Sequence, residues 1–307
     1  MRTLFQKKIT ELAKKRDDIV LLSGDIGNKM FDDFKQIAPE RFINCGIAEA
    51  SMMSVAGGLA LSGFRPVVYT ITPFVTARCF EQAKISVGYH EANVLIIGTG
   101  SGLSYAELGA THHSLDDISI MGSIPNMRVL APCDSNQLGF YLDEALNING
   151  PTYIRIGKKG EPIITSEVSE IRIGKSNIIK EGSDFLILGI GPIINEALLA
   201  VEKLESESQK RIAIADMSSV KPMDEIFLKE MVKRKFKTWI TLEEHGFVGG
   251  MGLRINNWLF KNDKSKDIKT INLNTPDQFI HTLGKQKFLR KELNIDESFI
   301  YKKLLTL

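Results

Sequence analysis

Short apolar runs alternate along the chain with longer stretches in which apolar residues recur at helical spacing. An unbroken apolar run is typical of a buried strand, and the recurring pattern is typical of an amphipathic helix. The alternation therefore predicts an α/β fold whose mostly parallel sheets are covered by helices on both faces. We predict strands over residues 19–25, 42–45, 66–71, 94–98, 128–131, 152–156, 185–189, 211–215, 239–242 and 270–273.

The alternating pattern is interrupted between residues 158 and 182. This stretch contains Gly160 and Pro162 together with short alternating segments, which is typical of a connection between domains. We therefore predict two doubly wound domains, 1–160 and 183–307, joined by a linker over residues 161–182.

The predicted helix that follows Gly46 consists of small and apolar residues except for one acid, Glu49. A helix this apolar is buried on most sides, and an unpaired carboxylate there would cost several kcal/mol. One explanation is a cap: with Gly46 as the N-cap, Glu49 falls at the third helical position and can bond the backbone of the cap residue. The other explanation is a functional acid.

Composition and charge restrict the classes of function. The 307 residues are 43% apolar and 25% charged, and the formal net charge is +2, which fits two packed domains. No basic block suggests binding to nucleic acid or to a membrane surface, and no stretch approaches the ~20 apolar residues of a membrane span. The three cysteines are isolated from one another, and the first residues contain no apolar signal core. We therefore expect a cytoplasmic protein.

The surroundings of Glu49 resemble a known family. Residues 41–46, the helix, the turn over 62–66 and the apolar run 67–70 give the order strand, helix, turn, strand. Within it, residues 46–49, Gly-Ile-Ala-Glu, resemble the motif of the pyrimidine-binding domain in the C-terminal half of transketolases and deoxyxylulose-phosphate synthases. The resemblance implies thiamine diphosphate as cofactor and assigns to Glu49 the hydrogen bond to its aminopyrimidine ring.

The chemistry of this cofactor explains why a buried acid would be useful. The amino group of the pyrimidine has to act as a base, and a carboxyl group that shares a proton with the ring nitrogen N1′ makes this possible. Burial also keeps water away, so that the proton passes to the ring rather than to solvent. The resemblance therefore implies a catalytic role for Glu49.

Two further segments resemble cofactor-binding parts of the family. Residues 70–82 match a segment whose aromatic residue stacks on the aminopyrimidine, which implies that role for Phe74 and a cofactor contact for Phe80. Ordinary core packing is the alternative for both rings. Near the end of the first strand, Asp25 and Ile26 take the place of residues that lie against the thiazolium ring, although Asp25 could be a plain turn residue.

A histidine block over residues 109–117 resembles the block that supplies a histidine to the sugar substrate, and His112 takes that position. His112 and His113 do not form a metal pair, because adjacent side chains point in different directions. In the family an aspartate precedes this block and contacts a substrate hydroxyl. Here that position is Leu108, which leaves the preference for donor and acceptor open.

The family also has an arginine that grips the substrate phosphate, and Lys158 lies at the matching place. Lysine binds phosphate as a point charge, without the planar fork of arginine. Arg155 and Arg2 are secondary candidates for this role. In the segment discussed above, Arg78 and Glu81 could form an exposed helical pair.

The chain lacks the family's Mg²⁺ motif, which is Gly-Asp-Gly followed by Asn-Asn and supplies oxygen ligands. Gly24-Asp25 lacks the second glycine, and Asn256-Asn257 lies in a predicted amphipathic helix far downstream. We therefore expect no metal site on this chain. A separate N-terminal transketolase-like subunit is expected to hold Mg²⁺ and the diphosphate, in an α2β2 assembly with a β–β dimer contact.

The second domain also resembles the family. Residues 219–224 and 243–252 match the transketolase C-terminal domain. Since that domain lies away from the chemistry in the family, we interpret Glu243, Glu244 and His245 as structural residues.

Three functions remain open at this point. The favoured one is the C-terminal-section subunit of a split, two-chain transketolase, which transfers a two-carbon ketol unit between a ketose and an aldose and is active only with its partner. The second is the β subunit of a 2-oxo acid dehydrogenase E1 component. The third is a non-catalytic module that keeps the fold and binds another protein chain, because a fold does not prove an activity.

Overall fold

Two mostly parallel sheets form the framework of the computed structural model, which describes residues 1–27, 29–168 and 170–307. The strands of the first part are β1 (Ile19–Ser23), β2 (Phe42–Asn44), β3 (Arg65–Ile71), β4 (Leu95–Thr99), β5 (Arg128–Leu130) and β6 (Thr152–Ile156). Its helices are α1 (Arg2–Lys15), α2 (Asp32–Ile37), α3 (Glu49–Leu61), α4 (Thr72–Val75), α5 (Phe80–Gln82), α6 (Asp117–Gly122) and α7 (Ser135–Ala145), with a π-helical segment over Ala83–Tyr89.

The second part of the chain repeats this alternation. Its strands are β7 (Asn177–Lys180), β8 (Phe185–Gly189), β9 (Ile212–Asp216), β10 (Ser219–Lys221), β11 (Thr238–Gly246) and β12 (Lys269–Thr275). Its helices are α8 (Ile194–Glu207), α9 (Glu225–Lys233), α10 (Met251–Lys261), α11 (Gln286–Glu292) and α12 (Glu297–Leu305).

The strand order is that of doubly wound sheets. In the part of the chain that the structure describes, the first sheet has seven strands in the order β10-β5-β6-β4-β3-β1-β2, and only β10 is antiparallel to its neighbour. The second sheet has five strands in the order β12-β11-β8-β9-β7, and only β7 is antiparallel to its neighbour. The predicted α/β class with two mostly parallel sheets is confirmed.

Buried side chains alternate between the two faces of the first sheet, as the twofold repeat of a strand requires. On β1, Leu22 belongs to the core that also contains Met52 and Met53 of α3. Its neighbour Leu21 belongs to the opposite core, where Phe5 of α1 packs. Both faces of the sheet are therefore covered, and only the strand ends are available to form a site.

The two domains share one hydrophobic core, and one strand of the second domain belongs to the first sheet. The core beneath α3 continues into the second domain, where it includes Leu228 and Trp239. In addition, β10 of the second part pairs with β5 of the first, with Ser219 opposite Leu130. The predicted linker over 161–182 contains the whole of β7, so it is not free of regular structure. Strand β7 lies at the edge of the second sheet and pairs with β9.

The helices of the described residues are too short or too polar for a bilayer. Among them, none combines the length and the apolar character that crossing a membrane requires.

Candidate active site

The candidate site lies at the carboxyl ends of the central strands β1 and β3. Strand β1 has β2 on one side and β3 on the other, so the connections from these strands leave in opposite directions. In open α/β sheets, such a switch point forms a crevice that binds ligands. Glu49 follows β2, Gly24 follows β1, and Phe74 follows β3.

The loops after β1 and β2 are tied together by their backbones. The N–H of Asp25 donates to the carbonyl oxygen of Gly46 at 3.1 Å. The Asp25 side chain is exposed, and Ile26 is half-buried against the core beneath α1. Asp25 is therefore tied to the loop that leads to Glu49, and Ile26 follows it directly.

Glu49 is the first residue of α3, and its side chain is 4% exposed. The N-cap is Ala48, which makes no side-chain capping bond. The capping-box explanation for Glu49 is therefore wrong, because the cap residue is Ala48 rather than Gly46 and Glu49 is the first helical position rather than the third. The helix N-terminus favours a negative charge at this position, and the ion pair described below provides a partner.

Gly24 packs closely against Thr70, next to Glu49. A Cβ atom at Gly24 would lie 2.9 Å from Thr70 Oγ1 and 3.6 Å from Glu49 Oε1, so a larger residue would clash with Thr70. The Thr70 hydroxyl is buried and has no hydrogen-bond partner. A buried carboxylate and an unpartnered hydroxyl thus both lie beside Gly24. These two groups fit the polar edge of an aminopyrimidine ring.

Phe74 presents a half-buried ring, and Arg78 lies on it. The Arg78 guanidinium carbon is 3.8 Å from the centre of the Phe74 ring, and Nη1 donates to Glu49 Oε2 at 2.9 Å. Arg78 therefore reaches across to α3 rather than pairing with Glu81, which was the alternative for these two residues. Glu81 instead accepts a hydrogen bond from the side chain of its neighbour Gln82.

Phe80 lies on the other side of this segment. Its half-buried ring packs against the core beneath α3, among residues such as Met53. This placement corresponds to the core-packing alternative, so we leave Phe80 out of the proposed cofactor site.

His112 stands edge-on to Phe74, with ring centres 5.3 Å apart. Its Nδ1 lies 2.9 Å from Thr111 Oγ1. Partial burial lowers the pKa of His112 below its usual value, and the positive charge of Arg78 lowers it further. Both effects favour the neutral ring. When the Thr111 hydroxyl donates to Nδ1, the neutral ring carries its proton on Nε2, where it can be donated to a substrate oxygen.

His113 is placed differently from its neighbour. It is buried, and burial lowers its pKa. Its ring therefore belongs to the interior rather than to the site.

Lys158 lies in the neighbourhood of His112, next to Tyr105. Its Nζ is 4.6 Å from the centre of the Tyr105 ring and 2.6 Å from Glu107 Oε1. Glu107 and Tyr105 were not predicted as site residues, because neither stands in a motif that assigns it a role. Leu108, which replaces the family's aspartate, is exposed beside them. The lysine that is expected to bind phosphate is thus already paired with a carboxylate.

Arg155 is not available to a substrate. It is 5% exposed, its Nη1 lies 3.1 Å from Asp117 Oδ1, and its Nη2 donates to the backbone oxygens of Ser114 and Glu244. The expectation that Arg155 binds substrate does not fit this placement, because the guanidinium is buried and its contacts are with groups inside the protein. We leave it out of the proposed site.

The acids of the second domain are placed as structural residues. Glu243 is buried and accepts from the N–H groups of Met251 and Gly252 at the start of α10, each at 2.8 Å. Glu244 accepts from Gln286 and Arg290. The structure therefore agrees with the structural interpretation of these residues.

The side chains that could bind a metal ion are dispersed over the described part of the chain. Within residues 1–27, 29–168 and 170–307, no group of three or more His, Cys, Asp or Glu residues is placed to hold one. The pair Asn256-Asn257 lies within α10, as expected.

Comparison with known proteins places the chain next to transketolases. Family models match residues 1–161 ("Transketolase, pyrimidine binding domain") and residues 174–296 ("Transketolase, C-terminal domain"). The chain is 34% identical to one subunit of the apulose-4-phosphate transketolase of Phocaeicola vulgatus, over 85% of this chain and 84% of the relative. It is 32% identical to a putative transketolase C-terminal section of Methanocaldococcus jannaschii, over 99% and 95%. A solved structure described as a split gene transketolase, inactive beta4 tetramer, superposes with a TM-score of 0.89 at 30% identity, over 99% of this chain and 97% of that one.

Proposed function

The chain belongs to the transketolase family, and on this basis we propose that it is the subunit of a two-chain thiamine diphosphate-dependent transketolase that holds the pyrimidine end of the cofactor. One observation carries the proposal: Glu49 is buried at the switch point of the first sheet, beside Gly24 and the unpartnered hydroxyl of Thr70. A buried acid at such a position is what the proton exchange with an aminopyrimidine requires.

Two observations support a separate partner chain. The matched family models cover a pyrimidine-binding and a C-terminal domain, which together span most of this chain. Relatives of similar length are described as a transketolase subunit and as a transketolase C-terminal section. We propose that an N-terminal transketolase-like subunit holds Mg²⁺ and the diphosphate.

Each residue of the proposed site has a separate role. When bound, the cofactor supplies the nucleophilic carbon that carries the two-carbon ketol unit. Glu49 would exchange a proton with the ring nitrogen of the pyrimidine. Phe74 would pack on the ring and exclude water from it, and Asp25 and Ile26 would contact the cofactor from the loop after β1. His112 orients the sugar through a hydrogen bond to one of its oxygens.

Lys158 attracts an anionic end of the sugar, and a phosphorylated ketose or aldose fits this charge. Because its partner Glu107 is a carboxylate, the attraction is weaker than that of a free lysine. The identity of the sugar thus depends on residues 107, 108 and 158. Leu108 and Lys158 differ from the residues of the family pattern, and Glu107 is not part of that pattern.

We further propose an α2β2 assembly with a contact between two copies of this chain, in the cytoplasm. The relative structure that is described as an inactive β4 tetramer supports contacts between copies of this subunit and an activity that requires the other chain. The domain boundaries 1–160, 161–182 and 183–307 are part of the same proposal.

The decisive experiment is co-expression with the chain that carries Gly-Asp-Gly and Asn-Asn. The purified pair, supplied with thiamine diphosphate and Mg²⁺, is tested for ketol transfer from a panel of ketose phosphates to aldoses. Transfer by the pair and none by either chain alone is expected. Decarboxylation of pyruvate with reduction of lipoamide would instead assign the pair to the 2-oxo acid dehydrogenases, and a pair without either activity would overturn the proposal.

A further inference from the structure

Arg78 makes both of the contacts that the proposed function assigns to the aminopyrimidine ring. The central carbon of its guanidinium lies over the Phe74 ring, 3.8 Å from the ring centre. Its Nη1 donates to Glu49 Oε2 at 2.9 Å. One side chain thus covers the aromatic face and also satisfies the buried acid.

The guanidinium can do this because it resembles the ring in shape and hydrogen bonding. It is planar, it carries N–H donors in its plane, and it stacks on aromatic faces. An aminopyrimidine is also planar and presents nitrogen atoms in its plane. Both groups would use the same face of Phe74 and the same carboxylate, so they cannot both occupy this position.

We propose that Arg78 is a positioning residue that occupies the pyrimidine position of the unloaded site and is displaced by the cofactor ring. This inference rests on the proposed function, since it needs a cofactor that binds beside Glu49. Binding of the cofactor is then an exchange of contacts: the ion pair of Arg78 with Glu49 and its cation–π contact with Phe74 are broken when the ring enters.

The placement of Arg78 suits such an exchange. Its side chain is 43% exposed, whereas that of Glu49 is 4% exposed, so the cation can leave to solvent while the acid stays in place. Arg78 lies in the short turn Ala77–Cys79 between α4 and α5. Rotation of its side chain is sufficient, and the exposed Glu81, three residues further on, can receive the guanidinium.

Arg78 also has a function before loading. A buried carboxylate that loses its partner is strongly destabilising, because its charge is then uncompensated. By pairing with Glu49, Arg78 keeps the acid and the Phe74 ring in the arrangement that the cofactor needs. Arg78 also weakens cofactor binding, because the ring has to replace contacts that Arg78 already makes.

The direction in which Arg78→Ala changes the Kd for thiamine diphosphate tests this inference. In the co-expressed complex at fixed Mg²⁺, the Kd for thiamine diphosphate is measured by calorimetry for the wild type and for Arg78→Ala. If Arg78 competes with the ring, removing it tightens binding, by about five- to thirtyfold for the loss of one partly exposed ion pair and one cation–π contact. Arg78→Lys keeps the charge but loses the planar stacking, so its Kd is expected to lie between the other two.

The matched control is Arg172→Ala, which removes an exposed arginine paired with Glu170 at 2.9 Å outside the site and should leave the Kd unchanged. A wild-type complex that does not bind thiamine diphosphate would overturn the proposed function, and this inference with it. A wild-type complex that binds, with an Arg78→Ala variant whose Kd is equal or higher, would overturn this inference alone. If Arg78→Ala does not fold, Arg78→Lys decides: a lower Kd than that of the wild type supports displacement, and an equal or higher Kd contradicts it.

Discussion

The guanidinium of Arg155 and the carboxylate of Asp117 form an ion pair of 3.1 Å inside the protein, with side chains that are 6% and 1% exposed. Arg155 also donates to the backbone oxygen of Ser114, within the histidine block, and to that of Glu244 in the second domain. One buried cation therefore connects the loop that carries His112 to the C-terminal domain. The second domain thus contributes to the site indirectly, by fixing this loop.

Asp117→Asn should strongly destabilise the chain. The substitution leaves Arg155 buried without a counter-charge, and breaking a buried pair in this way costs about 3–5 kcal/mol. Urea denaturation of the purified chain, followed by circular dichroism, measures the change. As a control, Asp143→Asn removes the exposed partner of Lys8, which should cost less than about 1 kcal/mol. Equal effects of the two substitutions would show that the buried pair does not hold the domains.

The fold was largely predictable, because buried parallel strands are apolar along their whole length. Each predicted strand is present, with ends that differ by a few residues at most sites. Strands β7 and β10 were missed. β10 consists of Ser219–Lys221 and pairs with β5 of the other domain. Its strand conformation depends on this distant partner, which cannot be recognised from the local sequence. β7 is an edge strand with four half-buried residues, which lack a clear apolar run.

The site was predictable to a smaller extent. Motifs placed Glu49, Phe74 and His112 in one cleft, since each follows a strand or loop at the same edge of the sheet. The pairing of the cations was not predictable. Arg78 and Arg155 both look like available charges in the sequence, but one pairs with Glu49 and the other with Asp117. These partners are distant along the chain, so only the folded arrangement brings them together.

Glu49→Gln should lower the turnover of the reconstituted complex by at least ~100-fold, the low end of what a proton-transfer group contributes. The amide can still form hydrogen bonds, so cofactor binding should be retained while the proton exchange is lost. Turnover and thiamine diphosphate affinity are therefore measured on the same preparation. Glu11→Gln, at an exposed position of α1, serves as the control. Near wild-type turnover of Glu49→Gln would remove Glu49 from the mechanism.

The purified chain by itself should show no Mg²⁺-dependent affinity for thiamine diphosphate. Most of the charge that has to be bound lies on the diphosphate, and residues 1–27, 29–168 and 170–307 contain no metal-ligand cluster. Calorimetric titration with Mg²⁺ and with a chelator tests this, and the co-expressed pair is the positive control. Tight binding by the chain alone would contradict the two-chain proposal.

Glu107→Gln should improve the use of phosphorylated sugars. Glu107 Oε1 lies 2.6 Å from Lys158 Nζ, so its carboxylate competes with a phosphate for the same ammonium group. Because an exposed ion pair is worth at most about 1 kcal/mol, KM for a sugar phosphate should fall by up to about fivefold, with little change in kcat. Lys158→Gln should raise the same KM. A sugar without phosphate is the control substrate, and an unchanged KM in both variants would exclude Lys158 from phosphate binding.

His245 should make the stability of the chain depend on pH. It is buried at the end of β11, its Nε2 accepts from the N–H of Ser119 at 3.4 Å, and its Nδ1–H donates to the carbonyl of Gly246 at 2.6 Å. Both ring nitrogens are thus used by the neutral form. Burial is the main cause that lowers the pKa of His245 to about 4, whereas an unfolded histidine titrates near 6.5.

Between pH 6.5 and 4 the unfolded chain therefore binds a proton at this residue that the folded chain does not bind. The free energy of unfolding should fall as the pH is lowered through this window, with a contribution of up to about 1.4 kcal/mol per pH unit. His245→Gln removes this contribution, so the difference between wild type and variant should depend on pH, while other titrating groups cancel. Exposed His281→Gln is the control. A pH-independent difference for His245→Gln would show that the ring is not held in its neutral form.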